Sequence, residues 1–292
     1  MNVREHLLAL NEELRRLKAE GRRSVTVSEE HLAGLRRAVE AAVVSPPAAE
    51  APAVPAPARS APASSEFAPV PAEPPVVSLP AGDKAVRWNA LRELVRNHPV
   101  CRAHVRPGKQ VVLGVGNLDA KIFFCGEAPG AEEEVQGEPF VGPAGQLLTR
   151  MIGGMGLKRE DVYIGNIMNW RPELPASGGV QYGNRPPTPA EMNFCLPFLR
   201  AQLEIVQPAV IVALGATAAG GLLGAGTFKT LGEIRGRWHT FSNLPLMVTY
   251  HPSYILRNQS NRSKRMIWED LLQVMERTGL PISPKQRNYY LG

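Results

Sequence analysis

Four short, almost uninterrupted apolar runs constrain this chain more than any other feature: KIFFC at 121–125, VYIGNIM at 162–168, AVIVAL at 209–214 and LMVTY at 246–250. Each is too short for a core helix and lacks the polar alternation of a strand with one wet face, so each reads as a strand buried on both sides. Helical patterns fall between and around them, at about 84–98, 143–155, 188–206, 215–223 and 262–278. Thr188, Pro189 and Glu191 give the third of these an N-cap, a first-turn proline and a capping box. Strands alternating with helices predict an α/β domain over residues 83–281: three layers, α/β/α, around a central, mostly parallel sheet of about four strands. Residues 282–292 remain as a C-terminal tail.

The sequence before this domain has a different character. Residues 45–82 are dominated by Pro and Ala, a composition that stiffens the chain, removes backbone donors and predicts a disordered, extended linker. Residues 1–44 read as a helical segment of two short helices. The first has Leu7, Leu8, Leu10 and Leu14 near one face; the second opens at Thr26 with Glu29 closing a capping box. A small appendage and a docking module for another protein both fit this segment.

Charge and cysteine content narrow the function classes. The formal net charge of +6 sits in the C-terminal part, +7 over residues 83–292 against −1 over the first 82. Such an excess suits a polyanionic partner without requiring one. No run of about 18 apolar residues predicts a membrane span, and the charged N-terminus has no apolar signal core, so a cytoplasmic protein is expected. Cys101, Cys125 and Cys195 are too few and too scattered for a disulfide framework.

In open α/β sheets, ligands bind beyond the carboxyl ends of the strands. The first strand runs into Gly126-Glu127-Ala128-Pro129-Gly130, a preset turn, and then into Glu132, Glu133 and Glu134. Downstream lies a Gly-rich loop with one aromatic, Phe140. The second strand carries a single amide, Asn166, and the fourth ends in Tyr250-His251-Pro252-Ser253. Alone, each has an ordinary structural reading: a solvated acidic face, a core ring, a satisfied buried amide, a packed histidine. Together they form a candidate pocket.

In order and spacing these motifs, GEAPGAEEE, GEPFVGPAGQLL, VYIGN and HPSYILR, resemble the uracil-DNA glycosylase superfamily, and within it family 4, the bacterial and archaeal type. The resemblance spans roughly residues 101–278. It implies a DNA-repair hydrolase of base excision repair that cuts the N-glycosidic bond of uracil and leaves an abasic site. Its partner is uracil-containing DNA, so the chain is expected to be a monomeric, nucleoid-associated enzyme. A glycosylase of the same fold for another deaminated or mismatched base, and a noncatalytic DNA-binding or recruitment protein, are the competing readings.

The resemblance implies a role for each residue. Phe140 stacks on a base swung out of the helix. Asn166 accepts from uracil N3–H and donates to O4, a pattern that cytosine inverts. His251 hydrogen-bonds O2 of the departing base, while Glu133 holds water or steadies the sugar cation and Glu127 shapes the pocket or binds water. Gly126, Ala128, Pro129 and Gly130 bring backbone close to the base. Ser253, Leu256, Arg257, Arg262, Lys264 and Arg265 hold the strand and fill the gap in the stack.

Three departures limit what carries over. Family 4 members typically hold a [4Fe–4S] cluster on four cysteines, whereas here only Cys101, His104 and Cys195 remain as vestigial ligand types and Trp170 stands where a third cysteine is expected. A cluster needs its full ligand set, so no cofactor and no metal are expected. The link between Arg171 and Arg185 is also longer than usual, and Glu134 replaces an aspartate, which leaves open which carboxylate is catalytic.

Overall fold

The computed structural model describes residues 70–172 and 183–291; the helical segment 1–44, most of the linker and the long link at 173–182 lie outside them. Helices α1 (Lys84–Asn97) and α2 (Pro99–Ala103) come first. They are followed by β1 (Val115–Gly116), β2 (Ile122–Gly126), α3 (Ala131–Gln136), α4 (Pro143–Gly154), β3 (Tyr163–Asn166) and α5 (Pro189–Val206). Then come β4 (Val210–Leu214), α6 (Ala216–Leu223), α7 (Leu231–Ile234), β5 (Trp238–Phe241), β6 (Leu244–Thr249), α8 (Pro252–Arg257), α9 (Asn261–Thr278) and α10 (Pro284–Arg287).

The sheet has six strands in the order β1-β3-β2-β4-β6-β5 rather than the four expected. The four expected strands form its parallel centre, and β1 and β5 are antiparallel edges. Both edges escape a reading by apolar runs for physical reasons. β1 is two residues long, and β5, WHTF, is only half-buried over most of its length. A two-residue turn joins β5 to β6, with Ser242 and Asn243 both at positive φ (48° and 63°), the conformation that matches the twist of a hairpin.

Alternation along β2 assigns the two faces. Ile122 and Phe124 pack with Leu148 and Ile152 of α4 and Leu271 and Met275 of α9. Phe123 and Cys125 pack with Leu199 and Leu203 of α5 and with Ala218 and Leu222 of α6. The three-layer architecture follows directly from this division. A third cluster joins Leu91 and Val95 of α1 to Trp170, Phe194 and Phe198, and Val70, Val77 and Leu79 lie against it. The last residues of the Pro/Ala-rich stretch thus pack onto the domain.

Two ion pairs brace the domain. Arg235 donates to both carboxylate oxygens of buried Asp270 on α9, at 2.6 and 3.2 Å, and Thr249 adds a third bond at 2.6 Å. Arg185 pairs with Glu191 at 2.7 and 2.8 Å, fixing the start of α5. The C-terminal segment is also docked: Trp268 Nε1 donates to the Gln286 carbonyl at 2.6 Å, and Gln286 Nε2 donates to the Gly154 carbonyl at 2.9 Å.

Candidate active site

The parallel register sets the site. Gly126, the last residue of β2, lies beside Asn166, the last of β3, and Leu214 of β4 lies beside Thr249 of β6. The four chains therefore leave the sheet at one edge, and His251 follows two residues beyond β6. A cavity of about 540 Å³ opens there. Glu127, Ala128, Pro129, Gly130, Glu133, Phe140, Asn166, His251, Ser253 and Arg257 all line it. The Phe140 and His251 ring centroids are 5.7 Å apart. A Cβ built on Gly126 would stand 2.3 Å from Asn166 Oδ1 and 2.5 Å from Phe140 Cζ, so only glycine lets amide and ring approach from both sides. Three motifs far apart in sequence thus meet at one point.

Phe140 reaches the cavity through a left-handed backbone (φ 54°), a conformation that costs a bulky residue on the order of 1–3 kcal/mol. Its surroundings impose it. Glu133 accepts from the backbone N–H of Val141 and Gly142 through Oε1, both at 3.1 Å, and from that of Gly130 through Oε2 at 3.0 Å. Arg159 donates to the Pro139 carbonyl at 2.6 Å from the other side. Gly145 completes the loop, since a Cβ there would fall 1.8 Å from the Phe140 carbonyl oxygen.

Three of the carboxylates that follow β2 separate by environment. Glu134 is buried and paired with Arg171 Nη1 at 3.0 Å, so it is structural. Glu133 spends both oxygens on backbone donors. Glu127 remains at the cavity wall, where burial pushes its carboxyl pKa up against a hydrogen bond from Thr217. Glu127 is thus the carboxylate with capacity left for a water.

His251 is held as a neutral donor. Its Nδ1 accepts from the backbone N–H of Ser253 at 3.2 Å and lies 2.8 Å from the Ser253 hydroxyl. That leaves the ring proton on Nε2. Burial, with the Arg257 charge adding to it and Glu133 opposing, lowers the imidazole pKa to about 4. At the end of β3, the buried Asn166 Oδ1 has no hydrogen-bond partner. A buried acceptor left in that condition costs about 1–3 kcal/mol, which a ligand N–H would relieve.

The remaining sequence candidates lie elsewhere. Leu256 and Lys264 line a second cavity, and Arg262 is exposed at the start of α9. Arg265 is committed to Glu269 and to the carbonyls of Arg287 and Tyr289, which makes it a brace of the C-terminal segment. Sequence reasoning missed Arg159, Arg185 and Asn184; the last two line the cavity. Nothing local marks Arg159, whose partner is twenty residues away.

The residues at the positions of family 4 cluster ligands are packed into or against the core. Cys101 and Cys195 are fully buried in an aromatic core, with burial raising both thiol pKa values. The His104 ring is stacked on Trp170 at 4.9 Å and its Nδ1 lies 2.8 Å from the Val100 carbonyl. Trp170, 1% exposed, also packs on Phe194 at 6.0 Å. Among the described residues no three His, Cys, Asp or Glu side chains are grouped so as to hold a metal ion.

An α/β/α fold whose parallel strands bring a turn carboxylate, an aromatic ring, an amide and an imidazole to one cavity at their carboxyl ends is an α/β enzyme by its site. The chain belongs to the uracil DNA glycosylase superfamily, whose family model matches residues 113–272. It is 43% identical over 184 residues to the type-4 uracil-DNA glycosylase of Thermotoga maritima, covering 62% of this chain and 89% of that one. The enzyme of the same name from Archaeoglobus fulgidus is 39% identical over 57% of this chain and 83% of its own length. That from Saccharolobus solfataricus is 38% identical over 58% and 76%. No helix among the described residues is long and apolar enough to cross a membrane.

Proposed function

We propose that this chain removes uracil from DNA by hydrolysing the bond between base and sugar, and that it does so without a cluster or metal ion. The observation that carries the reading is the buried, unpartnered Asn166 Oδ1 on a wall shared with Phe140 and His251. Uracil offers N3–H to that oxygen and O4 to the amide nitrogen. Cytosine offers an acceptor and a donor instead, leaving two groups unpaired at about 1–3 kcal/mol each. Phe140 supplies a π-face for the extruded ring.

Bond cleavage sends the electron pair of the glycosidic bond onto the departing base. His251 Nε2–H, already neutral and oriented by Ser253, donates to O2 as that charge develops. Water held at Glu127 attacks the sugar carbon, its oxygen joining C1′ and its proton passing to the carboxylate. Glu133 acts one step removed, by holding the loop that presents Phe140. Arg257 at the rim meets phosphate.

The test is a single-stranded oligonucleotide with one uracil, incubated with the full chain and then treated with alkali. Strand breakage at the uracil is the expected result. Breakage only at hypoxanthine or at a mismatched base would move the substrate elsewhere within the superfamily, and no breakage at any base would leave a DNA-binding protein.

A further inference from the structure

A second cavity, of about 350 Å³, lies on the far side of α8 from the first. Four of the six residues of α8 are divided between the two: Ser253 and Arg257 line the first cavity, Ile255 and Leu256 the second. Helix α4 is divided in the same way, with Ala144 at the first cavity and Leu147, Arg150 and Met151 at the second. Helix α8 therefore stands between the two cavities.

The lining has two characters. Met151, Ile255 and Trp268 form an apolar floor, and Tyr289 and Tyr290 form an aromatic wall. The charged side chains at its edge, Arg150 and Lys264, are both cationic, with no carboxylate among the lining residues. Lys264 Nζ stands 6.0 Å from the centre of the Tyr290 ring. The wall is built rather than accidental. Arg265 donates to the carbonyls of Arg287 and Tyr289, at 2.7 and 3.0 Å, and the Tyr289 ring packs on Trp268 at 5.1 Å.

Exposure points the same way. Six large apolar side chains are exposed among the described residues, and two of them, Leu256 and Tyr290, line this cavity. Aromatic faces beside cations, with no competing acid, are the chemistry that receives a nucleobase and its phosphate.

We infer that this cavity is a second nucleobase subsite, which receives the nucleotide next to the uridine and stacks its base against Tyr290 while Arg150 and Lys264 meet the intervening phosphate. It rests on the uracil-excision reading, because the first cavity must hold the uridine for the neighbour to reach the second. In this arrangement α8 is the divider between two bases, and Leu256 at its end fills the space that opens when they part.

The experiment uses the full chain and single-stranded oligonucleotides carrying 2-aminopurine immediately 5′ or 3′ of a uridine made resistant to cleavage by a 2′-fluoro-arabino sugar. Stacking should quench 2-aminopurine at one of the two positions, and Tyr290→Ala should abolish most of that quench. On cleavable substrate, Tyr290→Ala should raise KM about tenfold. With an abasic spacer at the same position, the wild type should lose that factor and the variant lose nothing more. Met151→Glu, which puts a carboxylate in the slot, should reproduce the loss of quench. Normal uracil excision with no quench at either position, or with a KM indifferent to Tyr290→Ala and to the spacer, would overturn the subsite and leave the uracil reading standing. Absence of excision by the wild type would instead remove the reading beneath it.

Discussion

Glu133→Gln separates a brace from a base. In the wild type, three backbone N–H groups, of Gly130, Val141 and Gly142, point at the two carboxylate oxygens from 3.0 to 3.1 Å. A carboxamide of the same shape keeps one oxygen, enough for Val141 and Gly142, and turns its NH2 toward the N–H of Gly130. One part-buried donor then loses its partner, at about 1–3 kcal/mol, and the two remaining bonds lose the strengthening that charge gives them. The sum is roughly 2 kcal/mol, or about 4–8 °C in Tm for a domain of this size. Because the same bonds hold Phe140 at its positive φ, the ring also loses its fixed place. Part of a stacking contribution of about 1–3 kcal/mol goes with it, so KM should rise between about 5- and 100-fold. Thermal unfolding followed by circular dichroism and steady-state excision from a single-stranded substrate measure both. An unchanged Tm with a fall confined to kcat would refute the reasoning, for it would make Glu133 the group that activates water.

Arg159→Met removes the Pro139 anchor of the same loop without touching a carboxylate, and should likewise raise KM while the acid limb of the pH profile stays in place. That limb should belong to Glu127: burial raises its pKa, so kcat/KM should fall with decreasing pH from above the ordinary carboxylate range, and Glu127→Gln should abolish most of the rate. His251 titrates only near pH 4, so no inflection should appear near 6.5; protonation by the unfolded chain alone between those values means its contribution to stability is full above pH 6.5 and declines as pH falls toward 4. Purified protein should carry far less than one iron–sulfur cluster per chain and keep its activity in chelator; stoichiometric iron would contradict the reading of Trp170 and His104 as packing.

What could be read from the sequence, and what could not, divides along the range of the interactions. The parallel centre was legible because strands such as β4 are apolar on both faces, a signal carried by consecutive residues. Phe140, Asn166 and His251 were legible as a set because strand-end geometry collects such residues at one edge. The edge strands β1 and β5 were not, being short or half-wet. The role of Glu133 was hidden because a motif shows a carboxylate but not the backbone amides that consume it, two of them eight and nine residues away. The C-terminal segment, set apart as a tail by its position, turned out to wall a cavity through bonds from Trp268 and Arg265 that no local pattern encodes.

The central claim is that Asn166 reads the base, and the ratio of kcat/KM for uracil to that for cytosine, in the wild type and in Asn166→Asp, tests it most directly. Two mismatched bonds at about 1–3 kcal/mol each correspond to roughly 30- to 25,000-fold discrimination. The wild type should fall within or above that range, and the aspartate, which can pair with cytosine when protonated, should lower the ratio by at least about tenfold. An identical ratio in the two proteins would contradict the account.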